Sequence, residues 1–435
     1  MGSDAGKTNS GRTRRSFLKQ TASAAAGMAL FGQTAPGQAR NASDIVRVGV
    51  MGCNGRGKDH IAGFLRVPNC EIAYICDVDS RAVEQGVSLA ARRQSTPPKG
   101  ISDLRYMLED PQLDAISIAT PDHWHAPAAI MACAAGKHVY VEKPGSHNLH
   151  ESQLLMKAAA KHRRVVQMGT QRRSWPWIIE AIQALHSGEI GQAFLARAWY
   201  TNRRTSIGPG KVVSVPPWLN WQLWQGPAPD EPLRDNLPHY NWHWFWSWGT
   251  GELGNNGVHC LDLARWGLGV DYPRRVTCGG GRYHYQDDWQ VPDTCLATYD
   301  FGGKMIALDC QSFDPHGMDG SSFGVSFHGD KGTLVIAGNT VRVYDLNEKA
   351  TREVEGKSDD TLHFANFVDS IRRGTALAAG IADAEKSTVL CHLGNIAWRS
   401  GQTVDFVPQS WEVNGGKEMR AFTRRTYRAG WEPKV

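Results

Sequence analysis

The sequence predicts an α/β domain with a parallel sheet, followed by an α+β domain with an antiparallel sheet. The chain has 435 residues, too many for one ordinary core. Short apolar runs alternate with amphipathic helical segments up to Gly169, whereas alternating segments separated by glycine-rich turns follow it. We expect a leader at residues 1–39, a first domain at 44–169 and a second domain at 170–435.

Five short apolar runs are the expected strands of the parallel sheet. Segments with apolar residues at helical spacing lie among them, at 125–135 and 149–162, so strands and helices alternate. This order is typical of a parallel sheet covered by helices. The expected strands are residues 46–51, 70–76, 113–119, 138–141 and 165–168.

The second domain is expected to open with a helix at 177–186 and a stretch rich in Trp, Pro and Gly at 209–254. Alternating segments joined by glycine-rich turns then predict an antiparallel sheet, with strands at 275–285, 294–301, 304–312 and 341–344. Two late helices, at 362–372 and 384–398, are expected to pack back onto the body.

The positive charge of the chain is concentrated in the leader. The formal net charge is +5, and the first 39 residues contribute five basic residues against Asp4: Lys7, Arg12, Arg14, Arg15 and Lys19. The rest of the chain is nearly neutral and lacks a basic surface that could neutralise phosphates, so we expect no nucleic-acid partner. No apolar run approaches the ~20 residues that span a bilayer, so we expect no transmembrane segment in the mature protein.

The leader resembles a twin-arginine export signal. Thr-Arg-Arg-Ser-Phe-Leu-Lys at residues 13–19 is followed by a weakly apolar stretch at 21–31 and a small-x-small sequence ending at Ala39. The resemblance implies cleavage after Ala39, the twin-arginine export machinery as a partner, and a periplasmic or otherwise exported location. A disordered basic N-terminus is the alternative.

The nine cysteines are scattered, odd in number and contain no Cys-x-x-Cys pair. This pattern supports neither a disulfide framework nor a zinc site. We expect no metal, and we expect most of the cysteines to be small core residues.

A glycine turn follows the first expected strand and precedes a helix. Backbone N–H groups in such a turn, together with the helix dipole, bind a pyrophosphate. Asn54 occupies the middle position, where the usual fingerprint has glycine, and its side chain could crowd the phosphate. The expected cofactor-binding residues of the turn are Gly52, Asn54, Gly55, Arg56 and Gly57.

Asp77 ends the second expected strand, twenty residues after Gly57. A carboxylate at this place binds the adenosine ribose hydroxyls and repels a 2′-phosphate, which predicts NAD in preference to NADP. Asp77 could instead be a helix cap or turn residue, and the nearby Arg81 could still accommodate NADP.

Three further motifs carry a resemblance to a known family. They are Ala-Thr-Pro-Asp-His-Trp-His at 119–125, Glu-Lys-Pro at 142–144 and Gly-Val-His-Cys-Leu-Asp at 257–262. Between about residues 45 and 402 the chain resembles the glucose-fructose oxidoreductase, inositol dehydrogenase and rhizopine-catabolism family of oxidoreductases. The resemblance implies a Rossmann domain and a second domain whose large, mostly antiparallel open sheet often forms an oligomer interface, so we expect a homo-oligomer.

The resemblance also implies roles for individual residues. Thr120, Pro121 and His125 are expected to border the dinucleotide, although His125 could equally be an ordinary residue at a helix N-terminus. Glu142 and Lys143 are expected to approach the nicotinamide ribose and the substrate. An ammonium group such as that of Lys143 can polarise a carbinol oxygen as hydride moves; a solvated surface lysine is the alternative.

His259 is the expected proton acceptor, since imidazole titrates near neutral pH. Family members commonly place an aspartate four residues earlier, on the same helix face, where this chain has Asn255. An amide cannot take a proton, so Asn255 could only orient the substrate or the ring. A buried core histidine is the alternative for His259.

Candidates for contact with the substrate come from an aromatic stretch at 241–248 and from the start of the second domain. Flat aromatic rings suit the C–H faces of sugars, and the alternative is that most of these tryptophans fill a core. The weaker substrate candidates are Gln171, Arg172, His243 and Trp246.

We therefore expect hydride transfer between a tightly bound nicotinamide and a hydroxyl-bearing carbon of a sugar, glycoside or cyclitol. A second hypothesis is an NAD-dependent enzyme that cleaves glycosides through transient oxidation and elimination. A third is a secreted sugar-binding protein without turnover. Release of an aglycone without net NADH would favour the second, whereas any redox change of bound nicotinamide would exclude the third.

Overall fold

The computed structural model describes residues 45–435. The expected leader at 1–39 lies outside the described residues. Two separate sheets are present: the last strand of the first sheet ends at Met168, and the second sheet begins at Ala193. The predicted fold class is confirmed; the exact domain boundaries stay a prediction.

The first sheet has six parallel strands in the order β3-β2-β1-β4-β5-β6. Its central strands are almost wholly buried, which explains why they read as continuous apolar runs in the sequence. The short edge strand β3 was not predicted, because its three residues include no buried apolar side chain. The strands are β1 Val46–Met51, β2 Cys70–Cys76, β3 Lys99–Ile101, β4 Ala115–Ile118, β5 His138–Val141 and β6 Val166–Met168.

Helices connect the parallel strands. The best predicted one, α5, begins after Asn148, whose Oδ1 accepts a hydrogen bond of 3.0 Å from the backbone N–H of Glu151. It ends at His162, and the next residue, Arg163, adopts the left-handed conformation with φ of 51°. The helices of this part are α1 Arg56–Phe64, α2 Ser80–Ala91, α3 Leu104–Leu108, α4 Asp122–Ala134 and α5 Leu149–His162.

The second sheet has ten strands in the order β14-β13-β12-β11-β7-β10-β9-β8-β15-β16. Only β7 and β10 pair in parallel, and the other pairs are antiparallel. The strands are β7 Ala193–Thr201, β8 Arg275–Gly281, β9 Thr294–Asp300, β10 Met305–Gln311, β11 Phe323–Gly329, β12 Gly332–Ala337, β13 Thr340–Asp345, β14 Ala350–Glu355, β15 Val404–Val407 and β16 Glu412–Asn414.

Helices of the second half cover one face of this sheet and also reach the first sheet. They are α6 Pro176–His186, α7 Trp221–Gln225, α8 Val258–Leu268, α9 Thr361–Arg373, α10 Ile381–Ser400 and α11 Lys417–Ala421. Phe364 of α9 lies 4.7 Å from Phe64 of α1, ring centre to ring centre. A side chain at Gly63 would put a Cβ 2.4 Å from the Phe364 ring, so glycine permits this approach. The late helix α9 therefore packs against the Rossmann part.

The tryptophan-rich stretch forms a small core of its own with little regular structure. Most of its aromatic rings are buried, in agreement with the alternative that most of these tryptophans fill a core. The buried aromatic members are Trp221, Trp224, Trp242, Trp244, Phe245, Trp248 and Trp289.

All nine cysteines are free thiols. Within residues 45–435, no helix is long and apolar enough to cross a bilayer. The same range contains no cluster of His, Cys, Asp and Glu side chains suited to a metal ion.

Candidate active site

A cavity of about 570 Å³ opens where the strands of the parallel sheet end. Residues following β1, β2, β4 and β5 line it, and they face the aromatic stretch of the second half. The strand order reverses between β1 and β4, and open α/β sheets bind their ligands at this point. The cavity is the best-supported functional site.

The glycine turn is packed tightly against the end of β4. Gly52 has φ of 85°, and a Cβ there would lie 2.7 Å from the carbonyl oxygen of Ala119. A Cβ on Gly57 would lie 1.8 Å from the Gly52 oxygen, whereas a Cβ on Gly55 would meet no atom within 4 Å. Asn54 is exposed and does not have a positive φ, so asparagine replaces glycine there without backbone strain. The turn leaves open space where a pyrophosphate binds.

Asp77 lines the cavity, and its carboxylate is oriented by the backbone. Its Oδ2 accepts a hydrogen bond of 2.6 Å from Cys53 N–H and its Oδ1 accepts one of 3.0 Å from Asp79 N–H. Burial raises the pKa of Asp77, and these hydrogen bonds oppose the rise. Arg81 is bound by Asp79 and stacks 3.3 Å above the Trp218 ring, away from the cavity lining. Arg81 is thus held by Asp79 and Trp218, and it does not neutralise the Asp77 carboxylate inside the cavity.

Glu142 is buried and paired on both sides. Its Oε1 accepts hydrogen bonds of 3.0 Å from Arg56 Nε and from His60 Nε2, and Arg56 Nη2 also donates to Asp360 over 3.0 Å. Burial alone would raise the pKa of Glu142, but the Arg56 guanidinium and His60 hold it well below its usual range. Glu142 is therefore a fixed anion that positions the start of the next loop.

The sequence predicted that Lys143 and Asn255 belong to one site, and the structure brings them together. Lys143 Nζ donates to the Asn255 backbone oxygen over 2.6 Å and to its Oδ1 over 3.3 Å. Burial lowers the pKa of Lys143. Both residues line the cavity, so the ammonium group bridges its two sides.

Asn255 is held by Glu252, and Glu252 is held in turn by Arg204. Neither of these two residues was predicted from the sequence. Its Nδ2 donates to Glu252 Oε1 over 3.2 Å, and Glu252 forms a two-pronged ion pair with Arg204 at 3.1 Å. The sequence signal that could have identified Glu252 is an acidic residue three positions before Asn255. Its partner, Arg204, is 48 residues away and carries no comparable signal.

His259 is not among the residues that line the cavity, although Asn255 is. The segment Leu253–Gly257 forms a π turn before α8, and this wider turn changes the relation expected for residues four apart in an α-helix. His259 is 7% exposed, and its Nδ1 has no hydrogen-bond partner among the described residues. Burial, with the cations of Arg172 and Lys143, lowers its pKa well below the usual value, so the ring is neutral near pH 7.

A second neutral imidazole, His243, does line the cavity. Its Nδ1 donates to the Tyr240 backbone oxygen over 2.6 Å, so Nε2 is left as an acceptor. The ring stacks on Trp242 with centres 3.6 Å apart. Burial lowers the pKa of His243 to about 3.

His125 ties two motifs together. Its Nδ1 contacts the Pro144 oxygen at 2.6 Å and its Nε2 contacts the Thr120 oxygen at 2.8 Å, so both nitrogens are engaged by backbone. Thr120, Pro121 and His125 all line the cavity. We infer a positioning role for His125.

Two of the four weaker substrate candidates line the cavity and two do not. Gln171 and His243 line the cavity, whereas Arg172 and Trp246 do not. Arg172 lies 4.0 Å above the Phe323 ring, because aromatic stacking in the second domain holds it away from the cleft. Trp246 faces a different cavity, since the aromatic stretch turns through a 3₁₀ segment at Asn241–Trp244 just before it.

Two family models match the chain. Residues 46–170 match the oxidoreductase family with an NAD-binding Rossmann fold, and residues 196–433 match the C-terminal alpha/beta domain of the same family. The chain belongs to the glucose-fructose oxidoreductase, inositol dehydrogenase and rhizopine-catabolism family. The resemblance seen in the sequence motifs is confirmed.

Two of the relatives have names that refer to carbohydrates. A glycosyl hydrolase family 109 protein of Saccharopolyspora erythraea is 29% identical over 209 residues, covering 43% of this chain and 45% of that protein. A levoglucosan dehydrogenase of Pseudarthrobacter phenanthrenivorans is 28% identical over 228 residues, covering 52% of this chain and 51% of that protein. The chain thus spans less than two thirds of the curated relatives that it matches.

Solved structures share the fold. A levoglucosan dehydrogenase in complex with NADH and levoglucosan superposes with a TM-score of 0.66 at 20% identity, covering 84% of this chain and all of that one. An aldose-aldose oxidoreductase from Caulobacter crescentus in complex with glycerol gives a TM-score of 0.65 at 17% identity, covering 83% of this chain and all of that one.

The cavity of this family member fits NAD. The hydroxyl of Thr120 and the amide oxygen of Gln171 both line it, are buried, and have no partner among the described residues. Buried polar atoms of this kind are normally satisfied, so a ligand is expected to bind them. The open space at Gly55 suits the pyrophosphate and the Asp77 carboxylate suits the adenosine ribose. NAD is the cofactor that this domain binds.

Proposed function

We propose that the protein is an NAD-dependent oxidoreductase that transfers hydride between its nicotinamide and a hydroxyl-bearing carbon of a sugar, glycoside or cyclitol. The observation that carries this proposal is the position of Lys143 Nζ, which is held against Asn255 inside the cavity that the dinucleotide turn borders. The bound NAD supplies the hydride acceptor. The names of two relatives, a glycosyl hydrolase family 109 protein and a levoglucosan dehydrogenase, support a carbohydrate as the substrate class.

Lys143 is proposed to polarise the reacting oxygen. Its two contacts with Asn255 leave the ammonium group a further hydrogen to donate toward a substrate oxygen. Asn255 orients that ammonium group and takes no proton. Glu252 and Arg204 keep Asn255 in place.

Proton transfer is assigned to His259. Its neutral ring can accept the hydroxyl proton. Its buried Nδ1 has no hydrogen-bond partner among the described residues, and a bound ligand could supply one. His243 is the alternative acceptor, since it lines the cavity and keeps Nε2 unprotonated.

The proposal is tested by incubating the purified protein with a panel of sugars, glycosides and cyclitols while following both NADH and released sugar. Net or transient reduction of NAD with one of these compounds is the expected result. If bound NAD keeps its redox state throughout such a panel, the oxidoreductase proposal is wrong and a binding role takes its place.

A second candidate is glycoside cleavage through transient oxidation, elimination and return of the hydride. The likeness to a glycosyl hydrolase family 109 protein favours it. Oxidation next to a C–H bond makes that hydrogen exchangeable with solvent. Cleavage in D₂O is therefore expected to place deuterium on the product carbon without net NADH, and a product free of deuterium would contradict this route.

We further propose that the chain is exported after folding and carries its NAD with it. The twin-arginine pattern at 13–19 supports export, and a compartment beyond the membrane holds no dependable pool of free NAD. The cofactor is then regenerated in place. Protein purified without added nucleotide and then denatured is expected to release NAD or NADH into the supernatant; an empty protein that needs stoichiometric added NAD would contradict retention.

Assembly into a homo-oligomer is proposed through the outer face of the ten-stranded sheet. Leu296 on β9 and Met305 on β10 are 59% and 40% exposed there. Light scattering coupled to gel filtration is expected to give a multiple of the monomer mass. A monomer at working concentration would overturn this proposal.

A further inference from the structure

A second cavity, of about 370 Å³, lies outside the cofactor and substrate site. Its walls come from the start of α5, the end of α10, the segment at 246–250 and the segment at 421–426. Neither the family motifs nor the proposed reaction uses it.

Several hydrogen-bond donors in this wall are buried and unused. Asn148 is 6% exposed and its Nδ2 has no partner, and Arg425 has none for Nε and Nη1 within the described part of the chain. Both ring nitrogens of His147 are likewise unpartnered there. Because buried donors are normally satisfied, this group points to a missing acceptor.

The cavity wall is also strongly basic. Arg399, Arg424 and Arg425 line it, whereas no Asp or Glu does so among residues 45–435. Arg424 is paired with Glu432 at 3.0 Å. Arg425 makes one hydrogen bond, from Nη2 to the Ser247 backbone oxygen over 2.9 Å. The charge of Arg425 has no carboxylate within ion-pair distance in the described structure.

Arg399 is held by aromatic rings. Its guanidinium carbon lies 4.6 Å from the centre of the Trp246 ring and 4.1 Å from that of Phe422. This stacking fixes the plane of the guanidinium and leaves its N–H groups free. The Arg399 side chain is exposed, and its guanidinium is a cation at neutral pH.

Two carboxylates adjoin the wall, and both accept hydrogen bonds from protein groups. Glu151 accepts hydrogen bonds from Tyr427 Oη over 2.8 Å and from His147 N–H over 3.2 Å. Glu231 accepts one from Ser247 Oγ over 2.5 Å. Neither of them lines the cavity, so a ligand entering it meets cations and neutral donors.

We infer that this second cavity is a binding site for a tetrahedral oxyanion, a phosphate or sulfate group, either free or as an ester. Planar guanidinium groups bind such oxygens in pairs, and the amide of Asn148 adds a neutral donor. A sulfate or phosphate group presents enough acceptor oxygens for donors that converge from three different segments of the chain.

The site shares a wall with the substrate cavity. Thr250 lines the second cavity, and its Oγ1 donates to Asp122 Oδ2 over 2.6 Å; Asp122 lines the first cavity. Asn395, also in the second cavity, donates to the Thr250 oxygen over 2.8 Å. The anion site is thus distinct from the reacting centre yet adjoins it.

The test is a calorimetric titration of the full protein with inorganic phosphate and, separately, inorganic sulfate. NAD is kept saturating so that the dinucleotide turn cannot take the anion, and sodium chloride at matched ionic strength is the control. We expect saturable binding of at least one oxyanion and none of chloride. Stronger binding of phosphate or of sulfate identifies the group, whereas equal responses to all three salts, or no heat at all, overturn the inference.

Variants locate the site. Arg399→Gln and Arg425→Gln are each expected to weaken oxyanion binding at least about tenfold. Loss of the Arg425 contact to Ser247 can prevent folding of Arg425→Gln. Arg399→Gln then still decides the test, because the Arg399 side chain is exposed and, among the described residues, is placed by stacking on the Trp246 and Phe422 rings. Arg373→Gln, an exposed arginine on α9, is the matched control and should bind as the parent does. Unchanged binding in a folded Arg399→Gln protein would contradict the assignment.

Discussion

The two walls of the first cavity are built differently. The cofactor wall, made of the turn at 52–57, Asp77 and Glu142, follows strand ends, and its carboxylates are already hydrogen-bonded within the protein. The substrate wall, made of residues 239–255, contains a 3₁₀ turn and a π turn, and His259, whose buried Nδ1 has no partner among the described residues, follows it in the chain without lining the cavity. The carboxylates of the cofactor wall are thus fixed by hydrogen bonds at strand ends, whereas the substrate wall takes its shape from irregular turns.

Lys143→Ala breaks the link between the two walls and should have the largest effect. We expect turnover to fall by about 10²-fold or more, the scale of a lost electrostatic group, with the fold intact. Steady-state kinetics on the identified substrate measure this. Lys161→Ala, an exposed lysine at the end of α5, is the control, and near-parent turnover in Lys143→Ala would refute its assignment.

His259 and His243 can be ranked as proton acceptors by comparing His259→Ala with His243→Ala. We expect His259→Ala to lower kcat by about 10²-fold and His243→Ala to lower it by about tenfold, because only the first removes the assigned proton acceptor. If the order is reversed, proton transfer belongs to His243, the residue that lines the cavity.

Asp77→Ala tests the cofactor wall alone. Removing the carboxylate that repels a 2′-phosphate should narrow the preference for NAD over NADP by about tenfold, equivalent to about 1.4 kcal/mol. Dissociation constants for both nucleotides, measured with parent and variant, give the ratio. A parent protein that prefers NADP would contradict the role given to Asp77.

The smallest expected effect is on stability. Burial places the pKa of His243 at about 3 in the folded protein, below the value of about 6.5 in an unfolded chain. Between these values the unfolded state binds more protons, so acidification below about pH 6.5 destabilises the fold by at most about 1.4 kcal/mol per pH unit for this residue.

His243→Asn should therefore flatten the loss of stability on acidification while keeping a donor toward the Tyr240 oxygen. Urea unfolding of parent and variant between pH 7 and pH 5 measures the two slopes. Identical slopes would show that His243 titrates in the folded protein much as it does in the unfolded chain.

The cofactor wall was largely predictable from sequence. A strand, a glycine turn, a helix and then Asp77 follow one another within 32 residues, from Val46 to Asp77, and each signal is local. The substrate wall was not, because a π turn at Leu253–Gly257 carries no distinct sequence pattern and changes which neighbours of Asn255 face the cavity.

The sequence by itself determined the parallel strands that lead into the site, the glycine turn and the chemical types of the reacting side chains, since hydrophobic periodicity and turn chemistry act over a few residues. Only the tertiary structure decided which charges meet. Arg56 pairs with Asp360, 304 residues away, and the second cavity joins Asn148 to Arg399 and Arg425. Such contacts depend on how whole helices and sheets pack, and no local pattern specifies them.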